Sequence, residues 1–144
     1  MAKLTRSIMI KAPVDEVFDF ALDVGRLWTV VRDLAARDVV LTPDGVGSKA
    51  TIYTHFLGFH MEGVVEFVEV VRPERIRALV HFTGEKPEWT FTFEPVEGDT
   101  KLTIQGEWHA NIPKVGPAIE TAMAKSHESM ATEMLEAVKA RVEA

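Results

Sequence analysis

The last thirty or so residues set the tightest limit on what this chain can fold into. From about 114 to 143, Val115, Ile119, Ala122, Met123, Ser126, Met130, Met134 and Val138 recur at helical spacing. At about 100° per residue they fall on one broad face, with Lys114, Lys125, Glu128 and Lys139 lying elsewhere. A helix this long with one apolar face needs an extended apolar partner, and a sheet of six or seven strands is the partner that fits.

The rest of the chain supplies that sheet. Residues 3–11 alternate, with Leu4, Ile8 and Ile10 on one side and Thr5, Ser7 and Met9 on the other, and predict a strand. Ala12-Pro13 stops it. Pro13 suits a first helical turn, and Asp15 and Glu16 complement a helix N-terminus. Val14, Val17, Phe18, Ala21 and Leu22 follow at helical spacing, Gly25 breaks the helix, and a second short helix carries Leu27, Trp28, Val31 and Leu34. From residue 37 the period is two, which predicts strands at 37–43, 48–57, 60–72, 75–83, 88–96 and 100–111. Short connections rich in Gly, Pro and Asp favour consecutive antiparallel hairpins. The expected class is α+β: a curved seven-stranded antiparallel sheet around the C-terminal helix, with two short helices after strand 1.

Length and composition bound the function. The 144 residues make one domain, 1–144, able to bury roughly two-thirds of its unfolded surface. There are no cysteines, so disulfide and thiol chemistry are excluded. No apolar run reaches the roughly 18 residues of a membrane span, and no signal or lipidation pattern is visible, so a cytoplasmic location is expected. The net charge of −6 comes without a basic stripe, which speaks against nucleic acid and against anionic membrane surfaces.

Hairpin register sorts the side chains, because antiparallel partners share a face. A turn at Gly58-Phe59 pairs Phe56 with Met61, Thr54 with Gly63, Ile52 with Val65 and Ala50 with Phe67. A turn at Pro73-Glu74 pairs Phe67 with Val80 and Val65 with Phe82. Across Gly84–Pro87, Phe82 meets Trp89, Val80 meets Phe91 and Ala78 meets Phe93. Leu102, Ile104, Gly106, Trp108 and Ala110 alternate inward on the last strand. All these strands agree on one apolar face. Gly63 and Gly106 fall on it, where a strand glycine marks a bend or a close approach.

The element order carries a resemblance, as do three stretches: Ser7-Ile-Met-Ile-Lys-Ala-Pro-Val-Asp-Glu-Val-Phe-Asp-Phe, the following Trp28, and Trp89-Thr-Phe-Thr-Phe-Glu-Pro-Val-Glu-Gly-Asp-Thr-Lys-Leu-Thr-Ile. Along essentially its whole length the chain resembles the START-like, helix-grip (SRPBCC) superfamily, and within it the polyketide cyclase/dehydrase-like group. The resemblance implies the fold. It leaves function open among lipid carriers, hormone receptors, cyclases and binders. It also implies that Trp28 lies near the pocket entrance.

The inward face reads as a lining for a flat or greasy ligand. The candidate ligand-binding residues are Trp28, Ile52, Thr54, Phe56, Met61, Phe67, Val80, Phe82, Trp89, Phe91, Trp108, Ile119, Met123, Ser126, His127 and Met130. The tryptophans carry an N–H that needs a partner, and the methionines give a soft lining. The competing reading is that the same residues only fill a core. His55, His60, His81 and His109 land on the outward face; His55 and His60 lie near Glu62, too few groups for a metal site. His127 sits at the edge of the helical stripe, and Glu133 on its flank. Thr54, Thr83 and Ser126 are the inward polar groups, with Arg32 and Asp33 near the short helices. No triad converges, no phosphate loop is spaced correctly, and no cofactor or metal is expected. The leading reading is a binder or carrier of a small hydrophobic, lipid-like or aromatic ligand. The alternatives are an aromatase/cyclase-type enzyme, with Thr54, His127 or Arg32 handling protons, and a protein-partner module.

Overall fold

Hydrophobic alternation becomes a ladder of seven strands in the computed structural model of the protein. Residues 2–56, 59–81, 86–108 and 116–144 are described, with the backbone alone at 2, 56, 59 and 116–123. In chain order the elements are β1 (Ala2–Ile10), α1 (Val14–Ala21), α2 (Val24–Thr29), β2 (Ala35–Val40), β3 (Lys49–Phe56), β4 (Phe59–Val71), β5 (Arg75–His81), β6 (Glu88–Val96), β7 (Asp99–Trp108) and α3 (Gly116–Glu143). The sheet order is β1-β7-β6-β5-β4-β3-β2, and every neighbouring pair is antiparallel. The expected architecture is the observed one.

The faces are as expected, but the registers are not. Thr54 pairs with Met61, Ile52 with Gly63 and Ala50 with Val65, two residues from the expected partners. Ala78 pairs with Trp89 and Ile76 with Phe91, four residues away. An even slip leaves every side chain on its original face, so Ile52, Val65, Val80, Trp89 and Phe91 stay buried. The β4–β5 pair is subtler. Next to the turn, Val70 pairs with Ile76, a one-residue slip that by itself would reverse the faces. A register shift between Phe67 and Glu69 adds a second residue, so that Val65 pairs with Val80 and Phe67 with Ala78. A bulge has restored the parity.

The break between the short helices also moves. Gly25 is buried inside α2, where Val39 Cγ2 stands 2.8 Å from the place a Cβ would occupy. The chain turns instead at Asp23, whose carboxylate accepts a 3.0 Å bond from the Arg26 N–H and caps α2. α2 ends at Thr29, so Val31 and Leu34 follow the helix and do not belong to it.

α3 buries Ala131, Met134, Leu135 and Val138. The expected stripe omitted Ala131 and Leu135. A row spaced by four residues advances about 40° per step and walks off the face, whereas a fixed face alternates steps of three and four. At its C-terminal end α3 is tied to β1. Lys139 Nζ donates to the Met9 carbonyl at 2.8 Å, and Glu143 accepts from the Lys11 N–H at 2.8 Å. Beside this tie the core is dense: Ile10, Val17, Phe18 and Val138 have no exposed surface, and Phe18 meets Phe93 edge-on at 5.1 Å.

Candidate functional site

Around the middle of α3, from Ser126 to Glu133, helix and sheet do not close completely. A cavity of about 240 Å³ lies between them. Its sheet side is built by Ile52, Thr54 and His55 of β3, Met61 of β4, Val80 of β5, Pro87 just before β6, and Trp89 of β6. Trp28 of α2 and the following Val31, Asp33 and Leu34 close one flank, and Ser126, His127, Ser129, Met130 and Glu133 of α3 close the other. The apolar groups lie mainly on the sheet and α2, and the polar ones mainly on α3 and the segment after α2.

Trp89 is held by its cross-strand partner. It pairs with Gly106, and a Cβ added there would fall 2.3 Å from Trp89 Cζ3. The six-membered ring of the indole therefore rests on bare backbone, a close approach only glycine permits. The inward glycine of β7 is explained by this contact. His127 then packs edge-on against both Trp89 (5.3 Å) and Trp108 (4.6 Å), which are themselves stacked at 6.4 Å. The imidazole is thus positioned by two indoles at the cavity wall. The Trp108 indole N–H is buried with no acceptor among the described residues.

Glu133 links the two flanks. One of its oxygens accepts from the Arg32 backbone N–H, and the other lies 3.8 Å from the Arg32 guanidinium, beyond hydrogen-bond reach. The Arg32 side chain is 84% exposed and does not line the cavity, contrary to its expected place among the proton-handling groups. The pairing joins residues 101 apart in sequence, so no local pattern shows it.

Nine of the sixteen candidate residues line the cavity: Trp28, Ile52, Thr54, Met61, Val80, Trp89, Ser126, His127 and Met130. Trp28 is buried in the wall, 1% exposed and edge-on to Phe91 at 5.7 Å, and is not a mouth residue. Phe67, Phe91 and Trp108 belong to the packing behind the wall. Phe82 lies outside the described residues, as do the side chains of Phe56, Ile119 and Met123. Sequence reasoning missed Val31, Leu34, Pro87 and Ser129. The signal for the first two was present as apolar residues beyond the end of α2. His55, assigned outward, is exposed yet reaches the cavity rim, while His60 and His81 are exposed on the outer face and His109 lies outside the described residues. Thr83 likewise lies outside them. Among the described residues no three His, Asp or Glu groups gather as a metal would require. None of the helices is long and apolar enough to cross a membrane, among the described residues.

The outer face of the sheet carries charge pairs and, among the described residues, no comparable hollow lined by apolar groups. Glu69 accepts from Arg75 at 2.7 Å, and that bond holds its carboxyl below the usual range. Arg77 is held above its usual value chiefly by its bond to Glu88.

Solved structures share this arrangement of sheet, short helices and C-terminal helix. A protein of Thermus thermophilus superposes with a TM-score of 0.82 at 19% identity, over 98% of this chain and 97% of that one. The Zhui aromatase/cyclase of a Streptomyces species (R1128) gives 0.80 at 13% identity, over 99% and 93%. A START superfamily protein of Mycobacterium smegmatis gives 0.75 at 14% identity, over 98% and 97%. No match was found among curated proteins. The architecture is the helix-grip fold of START-like proteins. Within that class the chain belongs to the family described as polyketide cyclase/dehydrase and lipid transport, whose pattern it matches over residues 1–143.

Proposed function

We propose that the protein binds a small hydrophobic molecule in the cavity between the sheet and the middle of α3. The observation that carries this is the 240 Å³ space walled by Trp28, Ile52, Met61, Val80, Trp89 and Met130, with a few hydroxyls and carboxylates among them. Apolar walls with a few convergent polar groups are the usual make-up of a small-molecule site. An apolar cavity of about 150 Å³ holds one benzene ring. Scaled from that, this one suits a molecule of about two fused rings. Burial of ligand surface, at roughly 25 cal/mol per Å² before ordering costs, would drive binding.

The test is a titration with naphthalene-sized neutral compounds, read by calorimetry and by thermal shift. Micromolar binding, abolished by the cavity-filling substitution Met130→Trp in a folded protein, is the expected result. A panel without heat or thermal shift sinks the reading.

A catalytic reading has one observation in its favour: His127 is positioned by two indoles at the wall, with Thr54, Ser126 and Glu133 on the same cavity. On that reading the cavity would fold a reactive chain by proximity, with His127 moving the proton. His127→Ala would then lower turnover of a bound substrate by about a hundredfold or more while leaving binding of inert ligands nearly unchanged.

A further inference from the structure

Among the described residues the cavity wall carries two carboxylates, Asp33 and Glu133, without lysine or arginine, its basic groups being the imidazoles of His55 and His127. The cation paired with Glu133 among the described residues is Arg32, whose guanidinium stays 3.8 Å away with 84% of its side chain in solvent. It does little to neutralise a group inside the cavity. The net charge of the whole chain, −6, adds to the same field.

This arrangement discriminates between ligands of equal size and shape. An anionic head at the cavity mouth meets two carboxylates and, among the described residues, no lysine or arginine, so like charge opposes its entry and any water it gives up is poorly replaced. A donor head meets the opposite situation. The Glu133 oxygen that does not accept from the Arg32 N–H stands outside hydrogen-bond reach of the guanidinium. Ser126, Ser129 and Thr54 add hydroxyls. We infer that the cavity selects its ligand by charge: it takes a compact apolar molecule carrying a hydrogen-bond donor, a protonated amine above all, and rejects carboxylates of the same size, fatty acids among them. This rests on the reading of the cavity as a ligand site.

Three matched compounds test it at pH 7: 1-naphthylmethylamine, 1-naphthalenemethanol and 1-naphthoic acid, titrated into the intact protein by calorimetry. The amine is expected to bind at least tenfold more tightly than the acid, equivalent to about 1.4 kcal/mol, with the alcohol between them. Lower ionic strength widens the gap. In the Asp33→Asn/Glu133→Gln variant the amine-to-acid ratio falls below three while alcohol binding persists, which also reports that the variant is folded. An amine-to-acid ratio below ten in the unaltered protein overturns the charge selection and leaves the cavity reading standing. A ratio still above ten in the alcohol-binding variant overturns the assignment to these two carboxylates. Absence of binding by all three overturns the cavity reading and this inference together.

Discussion

Two adjoining stretches of α3 face the same sheet and do opposite things. Around Met134, Leu135 and Val138 the helix closes on Ile10, Val17 and Phe18 with almost nothing left exposed. One turn earlier, around Ser126, Met130 and Glu133, it stands off and encloses 240 Å³. The dense stretch has small and branched aliphatics backed by α1, and the last turn is bonded to β1. The open stretch is backed by α2 and by the irregular segment 30–34, which meets the helix at Glu133, and it is also tied to β1 by the Arg6–Glu128 ion pair. One amphipathic helix thus serves as core at one end and as a wall at the other, and the second helix layer decides which.

Substitutions can break this contrast. The largest effect is expected at the dense end. Phe18→Ala removes a fully buried ring in contact with Phe93 and should cost about 3–5 kcal/mol of unfolding free energy, leaving ligand binding to the surviving folded fraction unchanged. The sharpest test uses one residue type. Met134→Ala should cost about 2–5 kcal/mol, because it opens a void in packed surroundings. Met130→Ala, one turn away, should cost about 1 kcal/mol or less, since the side chain already borders empty space, and it should admit larger ligands. Denaturant midpoints for the pair decide it; equal losses would mean that the two ends are not packed differently. Gly106→Ala comes next. Its methyl group collides with the Trp89 ring, and overpacking of this kind costs about 1–3 kcal/mol; because the ring must shift into the cavity, ligand affinity should fall with it.

The smallest effect concerns the tie at the dense end, and it depends on pH. The Lys11 N–H, and after it Lys139, hold the Glu143 carboxyl below its ordinary value of 4.5. A group with a lowered native pKa contributes stability above its unfolded value and loses it as pH falls through the native one. Glu143→Gln should therefore lower the urea midpoint slightly at pH 7 and make no difference well below pH 4.5. A deficit that persists in acid would show that the bond's geometry matters and its charge does not.

How far the sequence carried this picture follows from the same geometry. Faces were legible because parity survives any even slip: Ile52, Val65, Val80, Trp89 and Phe91 are inward whether the hairpins are in the expected register or the observed one. Register itself was not legible, since it depends on loop lengths and on the bulge near Val68, and neither leaves a periodic trace. The same limit applied to the site. Residues on regular strands, such as Thr54 and Met61, were placed on the cavity wall by alternation alone. Asp33, Leu34 and Glu133 meet there through a loop and a contact between distant segments, and no spacing rule links them. Whether the space would be filled could not be read from residue type, because Met130 and Met134 look alike in sequence.

The indole resting on Gly106 has a practical consequence. Trp28 and Trp89 line the cavity and Trp108 sits just behind His127, while the rings at the dense end are Phe18 and Phe93. All three tryptophans of the chain therefore emit from one end of the molecule. Fluorescence will follow the open half alone, whereas far-ultraviolet dichroism or hydrogen exchange follows both. If emission changes at lower denaturant than the dichroism does, the cavity end loosens before the rest and the protein is not two-state. Nature has in effect labelled one half of a domain and left the other dark.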